Sequence, residues 1–404
     1  MLSFQNPLVY PDIIEVPASL TVQETIEAVL ERTHIEDPFY VVHLDNVDKE
    51  VQNWRKCFPG IAPYYAVKVN DDVEVLRTLA NHGIGFDCAS KYEIELILSL
   101  GVAPDRIIYA HPVKSLQSLQ YAASVGVQLM TADSCSEIHK IKEAAPNSKV
   151  ILRLKCDHSH SMYSFGSKFG ADHSESIEII NLAIEIGIQI VGVSFHVGNR
   201  GSSWQAFSEV LDFCAEIMKY GKSKGCEMTI LDIGGGFPGG GDAMDLRVES
   251  FEDMSQGVLR CIKKSFSDFN GLTIIGEPGR RLCSSSCTIV VNVFGKKEYA
   301  TQDQKIGYKY YIDAGVFGPF NGVLFFECMF NMEILKPRPG TPVTQCIIFG
   351  PTCDSIDKLG EIEMEEVQIG DRLFVRNIGA YTMTLQTNFN GFGNIHRVYV
   401  RTTD

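Results

Sequence analysis

Between residues 64 and 280 the chain repeats one texture eight times, a short apolar and β-branched run followed by a longer amphipathic stretch. That alternation is what βαβ units on a parallel sheet require. The runs are YYAVKVN, IGFDCAS, RIIYAHP, VQLMTAD, VILRLKC, IVGVSFHVG, MTILDIGGG and LTIIGEP, separated by helical patterns such as DDVEVLRTLANHG, KYEIELILSLG, SESIEIINLAIEIG and residues 203–224. Even spacing and the absence of a long break favour a closed eight-stranded parallel (β/α)8 barrel over an open doubly wound sheet of about six strands. After Glu277 the texture changes. CTIVVNVF, YKYYIDAGV, GVLFFECMF, TQCIIFGP, DRLFVRNIGA and IHRVYVRT read as strands without helices between them, punctuated by PRPG and QIGD turns. The expected fold class is thus α/β plus all-β. Residues 1–37 are too few for a domain and pack on the β domain, 38–280 form the barrel, and 281–404 form the C-terminal β domain.

Composition narrows the chemistry. With 36 basic and 50 acidic residues the chain carries a formal net charge of −14. Without a Lys/Arg run it is a poor match to phosphate backbones or anionic membranes, which need a positive surface. No nucleic-acid or membrane partner is therefore expected, and a small molecule is. Twelve cysteines in 404 residues, mostly inside apolar segments, read as free thiols of a reducing compartment. The N-terminus has no basic n-region joined to an apolar h-region, and no uncharged apolar stretch reaches the roughly 20 residues needed to span a bilayer. The expected location is cytoplasmic. Cys283 and Cys287 in CSSSC, with His158 and His160, come nearest to metal-ligand spacing, but no second cysteine pair completes a set of four, so no metal is expected.

In a barrel of this kind the strand ends carry the chemistry. Lys68 ends the first run, Asp87 the second, Arg153 lies on the fifth, His196 on the sixth, Gly234–Gly236 end the seventh, and Glu277 with Arg280 end the eighth. Singly, each has a bland reading: His196 as a satisfied core histidine, Lys68 as a side chain snorkelling to solvent. Seven such features at the strand ends of one barrel are harder to dismiss. GGGFPG at 234–239 fits G-x-G-x-x-G, yet Pro238 followed by GGGD opens no helix at once and no strand-ending acid follows at about 20 residues. A small anion held by backbone N–H groups fits better, with Arg280 as a charged fork nearby. A lysine, an anion nest, an arginine, a histidine and a carboxylate together make the parts list for pyridoxal 5'-phosphate. Lys68 would bond to the aldehyde, Glu277 would face the ring nitrogen, and His196 would stack on the ring.

YYAVKVN, GFDCAS with KYEIELILSLG, RIIYAHPVK, FHVGN, LDIGGGFPG, GEPGR, FGPTCDSID and GAYT with FNGF occur in order across residues 63–392, and together they closely resemble the eukaryotic ornithine decarboxylase family. The resemblance implies a pyridoxal-phosphate-dependent homodimer with an alanine-racemase-like barrel, a C-terminal β domain and active sites shared between subunits. It makes Lys68 the lysine bonded to the cofactor, His196 the stacking residue and Glu277 the partner of the ring nitrogen. Gly236, Gly279, Arg280 and Tyr381 match phosphate-binding positions. Cys353 matches the acid that the other subunit supplies to reprotonate the substrate's α-carbon, and Asp354 the carboxylate that binds its distal amine. Lys168 and Asp357 match a pair bridging the dimer, and Asp87, Glu93 and Arg153 match supporting positions around the cofactor.

Three positions depart from the family pattern. Asn199 stands where a phosphate-binding serine is usual, which an amide donor can replace with altered geometry. Phe317 replaces a tyrosine, and Phe326 in GVLFFECMF replaces the second substrate-binding aspartate, with Glu327 one residue on. On a strand, a slip of one turns a side chain to the other face, so Glu327 is not an automatic substitute. The chain ends at Asp404, directly after the β domain, so the resemblance implies a member without the longer C-terminal tail of animal relatives. The leading expectation is a decarboxylase of a basic L-amino acid, ornithine to putrescine, in polyamine synthesis. One alternative is a pseudoenzyme resembling antizyme inhibitors, with an antizyme-like regulator as partner; another is a decarboxylase of arginine, lysine or another diamino acid. Retention of Lys68, His196, Glu277, Arg280 and Cys353 favours catalysis, because a chain freed from it has no physical reason to aim a lysine and a carboxylate into an empty site.

Overall fold

The computed structural model describes residues 12–156, 168–198, 203–239, 249–326 and 328–403. Asn199, Glu327, His158 and His160 lie outside them. Contacts divide the chain into two units, one of residues 48–240 and 245–283, the other of residues 1–47, 241–244 and 284–404.

The first unit is a closed barrel of eight parallel strands: Ile61–Ala66, Gly85–Cys88, Ile107–Tyr109, Leu129–Ala132, Lys149–Arg153, Gln189–Ser194, Ile230–Asp232 and Thr273–Gly276. They pair in sequence order, and the last returns to the first in the register Ile274 with Ile61. Ile108, Ile151, Val191 and Ile275 form one buried cluster drawn from strands that are not all neighbours, so they fill the barrel's interior. Side chains alternate along a strand, which sets Arg153 two residues beyond Ile151 and Glu277 two residues beyond Ile275 on that same inward face. The helices end where the sequence punctuates them. Asp172 and Glu175 form a capping box before His173–Ile186, which stops at Gly187 in the left-handed conformation.

The second unit is built on a nine-stranded sheet among the described residues. Ile13–Pro17 pairs in parallel with His396–Thr403, which pairs in parallel with Phe39–His43. Cys287–Ala300 continues antiparallel to Phe39–His43, and beyond it follow Ile306–Ile312, Val343–Phe349 and Lys358–Glu365. Between Val293 and Gly295 the long strand bulges and hands its pairing from Arg372–Val375 to Ile306–Ile312. The core of this unit joins Val16, Ile26 and Val29 from the N-terminal segment to Phe39, Val41, Val290, Phe374 and Val400.

Two expectations need correction. Residues 38–47, read as the start of the barrel, belong to the sheet unit, because Phe39–His43 finds its hydrogen-bond partners in Cys287–Ala300 and His396–Thr403. The run GVLFFECMF, read as a strand, forms a short helix over Gly322–Phe326. Its β-branched and aromatic residues are overridden by the fully buried Asn321, whose Nδ2 donates to the Gly318 and Thr382 carbonyls at 2.9 Å each, while its own carbonyl accepts from Leu324 and Phe325. Among the described residues no helix is long and apolar enough to cross a membrane.

Candidate active site

The barrel's strand ends converge their polar side chains. Lys68 sits on a 3-10 turn, Val67–Val69, just past the first strand rather than on it. Val67 and Val69 are buried, whereas the lysine side chain is 45% exposed, so the turn anchors its apolar neighbours and swings the ammonium outward. Lys68 Nζ meets Asp87 Oδ2 at 2.6 Å. Asp87 itself is buried and its other oxygen, Oδ1, has no hydrogen-bond partner, a costly arrangement unless a further donor arrives.

His196 lies two residues beyond the sixth strand, with Nδ1 accepting the Gly198 N–H at 3.0 Å. Burial, aided by the charges of Arg153 and Lys68, holds its pKa well below the usual histidine value. The ring is therefore neutral near pH 7 and carries its proton on Nε2. Glu277 follows the eighth strand; burial, with Asp232 and Asp87 nearby, pushes its pKa well up. Burial likewise raises Glu93 to about 7, against the pull of the Ala89 N–H that donates to it at 2.5 Å.

The glycines are sterically required. Gly234 has φ of +62°, and a Cβ there would meet the Phe195 carbonyl oxygen at 2.0 Å. At Gly235 it would meet His196 Nε2 and the Glu277 carbonyl oxygen at 2.9 Å, and at Gly279 it would meet Val69 Cγ2 at 2.4 Å. The N–H groups of Gly235, Gly236 and Gly279 make no hydrogen bond to another described residue. Bare donors in a cradle without side chains, beside Arg280 at the start of helix Arg280–Cys283, fit a small anion. The lysine, the orphaned Asp87 oxygen and this nest fit pyridoxal phosphate.

Asp232, at the end of the seventh strand, belongs to the same cluster and was not among the residues singled out by sequence. Its position just before the glycine run was the available signal. It is fully buried, and Oδ1 accepts the Gly234 N–H at 2.8 Å. Burial lifts its pKa to about 6. An unfolded aspartate titrates near 4, so the folded state holds the extra proton in between, and stability falls as pH rises from about 4 through about 6. Asp232→Asn should thus stabilise the cofactor-free protein at pH 7.5 by up to about 3 kcal/mol and by almost nothing at pH 4. Thermal unfolding at both pH values checks this; an equal shift at each would reject the buried-charge explanation.

The remaining candidates lie in the sheet unit. Cys353 and Asp354 are exposed, on the loop after Val343–Phe349. The Cys353 N–H donates to Asn390 Oδ1 at 3.0 Å, a contact not foreseen from the sequence. Asp357 is 1% exposed, and its carboxylate accepts the Val316 and Thr352 N–H groups at 2.8 and 2.9 Å. A Cβ at Gly315 or Gly350 would lie 2.1 or 2.2 Å from it, so in this chain Asp357 serves to bolt down the loop bearing Cys353. Lys168 lies in the barrel unit with Nζ 5.0 Å from the Phe169 ring centroid. Phe326 ends the short helix with its ring centroid 6.1 Å from that of Tyr381, which has φ of +58°. Phe317 packs on Phe389 at 4.7 Å.

A family described as pyridoxal-dependent decarboxylase, pyridoxal binding domain, matches residues 44–284. A probable ornithine decarboxylase of Dictyostelium discoideum is 38% identical over 384 residues, which is 92% of this chain and 81% of that protein. Antizyme inhibitor 2 of Xenopus laevis is 37% identical over 371 residues, 89% of this chain and 80% of that one. Among solved structures, the arginine decarboxylase of Paramecium bursaria Chlorella virus superposes with a TM-score of 0.87 at 32% identity, covering 93% of this chain and 100% of that one.

Proposed function

The chain belongs to the pyridoxal-dependent decarboxylases, enzymes that work through pyridoxal 5'-phosphate, and on that premise we propose that its substrate is a basic L-amino acid, ornithine before arginine or lysine, released as putrescine and carbon dioxide in polyamine synthesis. The observation carrying this reading is the Lys68–Asp87 pair beside three glycine N–H groups that donate to no other described residue. Bound pyridoxal phosphate supplies an electron sink for the pair left behind when the carboxyl group departs. In this reading Lys68 holds it covalently, Gly236, Gly279, Arg280 and Tyr381 hold its phosphate, and Asn199 adds an amide donor. Glu277, whose pKa burial pushes well up, would face the ring nitrogen. His196 offers a neutral flat face, and Asp87, Glu93 and Arg153 set the surrounding charge.

Cys353 would deliver a proton to the substrate's α-carbon and Asp354 would receive its distal ammonium, each from the partner subunit of a homodimer. A cytoplasmic location agrees with all twelve cysteines being free. Carbon dioxide release by the purified protein with ornithine, lysine and arginine ranks the substrates. The Xenopus relative keeps a second reading open, in which the chain binds an antizyme-like regulator without catalysis. Loaded cofactor with no release from any of the three substrates would favour it.

The shared site has its own test. Lys68→Ala and Cys353→Ala subunits, each inactive alone, should regain activity on mixing, because one site of the heterodimer is then intact. If tagged subunits prove that exchange occurs while activity stays absent, the site is not shared.

A further inference from the structure

The glycine loop is fixed at its first half by two hydrogen bonds, the Gly234 N–H to the Asp232 side-chain Oδ1 at 2.8 Å and the Glu277 N–H to the Gly234 carbonyl at 2.7 Å. The N–H groups of Gly236 and Phe237 make no backbone hydrogen bond to a described residue. Phe237 is 3% exposed and stacks on Phe207 at 5.5 Å, with edge contacts to Trp54 at 5.1 Å and Phe58 at 5.3 Å. Pro238 has no N–H of its own, and its carbonyl accepts from Arg281 Nη1 at 3.4 Å.

Arg281 directly follows Arg280, yet it points away from solvent, 6% exposed. Its guanidinium lies 4.6 Å from the Phe251 ring centroid and pairs with the carboxylate of Glu50 in helix Leu44–Cys57. One side chain thus ties together the loop, that helix and the start of helix Phe251–Ser265. A planar guanidinium can stack on a ring, pair with a carboxylate and donate to a carbonyl at once, which an ammonium cannot.

We propose that Arg281 is a positioning residue that latches the second half of the glycine loop, keeping its bare N–H groups aimed at the cofactor phosphate while Arg280 supplies the charge. The proposal rests on the cofactor reading above. Losing the latch lets Pro238 and Phe237 lift, so the unbonded N–H groups of Gly235 and Gly236 no longer converge and the cofactor leaves faster.

The test measures cofactor dissociation from the holoenzyme by decay of its visible absorbance in the presence of an aldehyde scavenger, alongside thermal unfolding. Arg281→Ala should release cofactor at least tenfold faster than the wild type, and Arg281→Lys should fall in between. Removing the arginine alone takes away Glu50's ion pair with it, so Glu50→Gln combined with Arg281→Met serves as the control that deletes both charges together. In that pair Tm should recover while fast release persists. Release that returns to the wild-type rate together with Tm, or an unchanged rate in Arg281→Ala, overturns the latch and leaves a purely structural ion pair. Should Arg281→Ala not fold, the double variant decides alone. A wild-type protein without a visible band would instead defeat the cofactor assignment of Lys68.

Discussion

Lys68→Ala should strip the purified protein of its visible absorbance and cut decarboxylation on the order of 10³-fold, since the covalent hold on the cofactor is lost. The side chain reaches outward from its 3-10 turn, and Asp87 fixes its ammonium at 2.6 Å. The variant also strands Asp87, which is 1% exposed, and an unpaired buried carboxylate destabilises the fold in its own right. Lys68→Met combined with Asp87→Asn removes both charges and separates the two effects. It should recover Tm without recovering absorbance. An unchanged spectrum in Lys68→Ala would place the cofactor bond elsewhere.

Phe326→Asp should lower KM for ornithine by about 10- to 100-fold and change kcat much less. A distal ammonium gains charge-assisted bonds worth about 1.5–3 kcal/mol at each carboxylate that receives it. In the proposed site only Asp354 is present to do so, and a phenylalanine lines the pocket with apolar surface that penalises a buried cation. The distal amine is remote from the breaking bond, so its binding energy is felt alike in ground and transition states. Mutation separates the role of Phe326 from that of Glu327, which lies outside the described residues. If Phe326→Asp leaves KM unchanged while Glu327→Gln abolishes binding, the glutamate holds the ammonium. Phe326 would then be a packing partner of Tyr381.

Much of the barrel could be read from sequence because its signal is local. Each strand is a short apolar run, most of the helices between them start at a Ser or Asp cap, and the parallel winding follows from their alternation. The site followed from the same rule, since strand ends of one barrel converge wherever they lie in sequence. What could not be read depends on distant partners. Nothing within FYVVH says that it pairs with Cys287–Ala300 rather than with the barrel. The helix at Gly322–Phe326 exists because the Asn321 side chain reaches Thr382, some sixty residues on. Lys358–Glu365 hides its strand character behind Lys358, Glu361, Glu363 and Glu365, as an edge strand with a solvent face does. Arg281 reads as a duplicate of Arg280 until its burial is known.

The sheet unit also sets a timetable for a growing polypeptide. Ile13 is held beside Tyr399 and Phe39 beside His396, so strands made first must wait for strands made last. The barrel is ready sooner: its strands pair with the next to emerge, and its one closing pair, Thr273–Gly276 with Ile61–Ala66, is complete before residues 396–403 are made. Closing contacts of such long sequence separation is slow, and unpaired strands are sticky in the interval. During synthesis the cofactor cradle should therefore be in place on the ribosome before the sheet can close, and the sheet, not the barrel, is the part that would need shelter from aggregation.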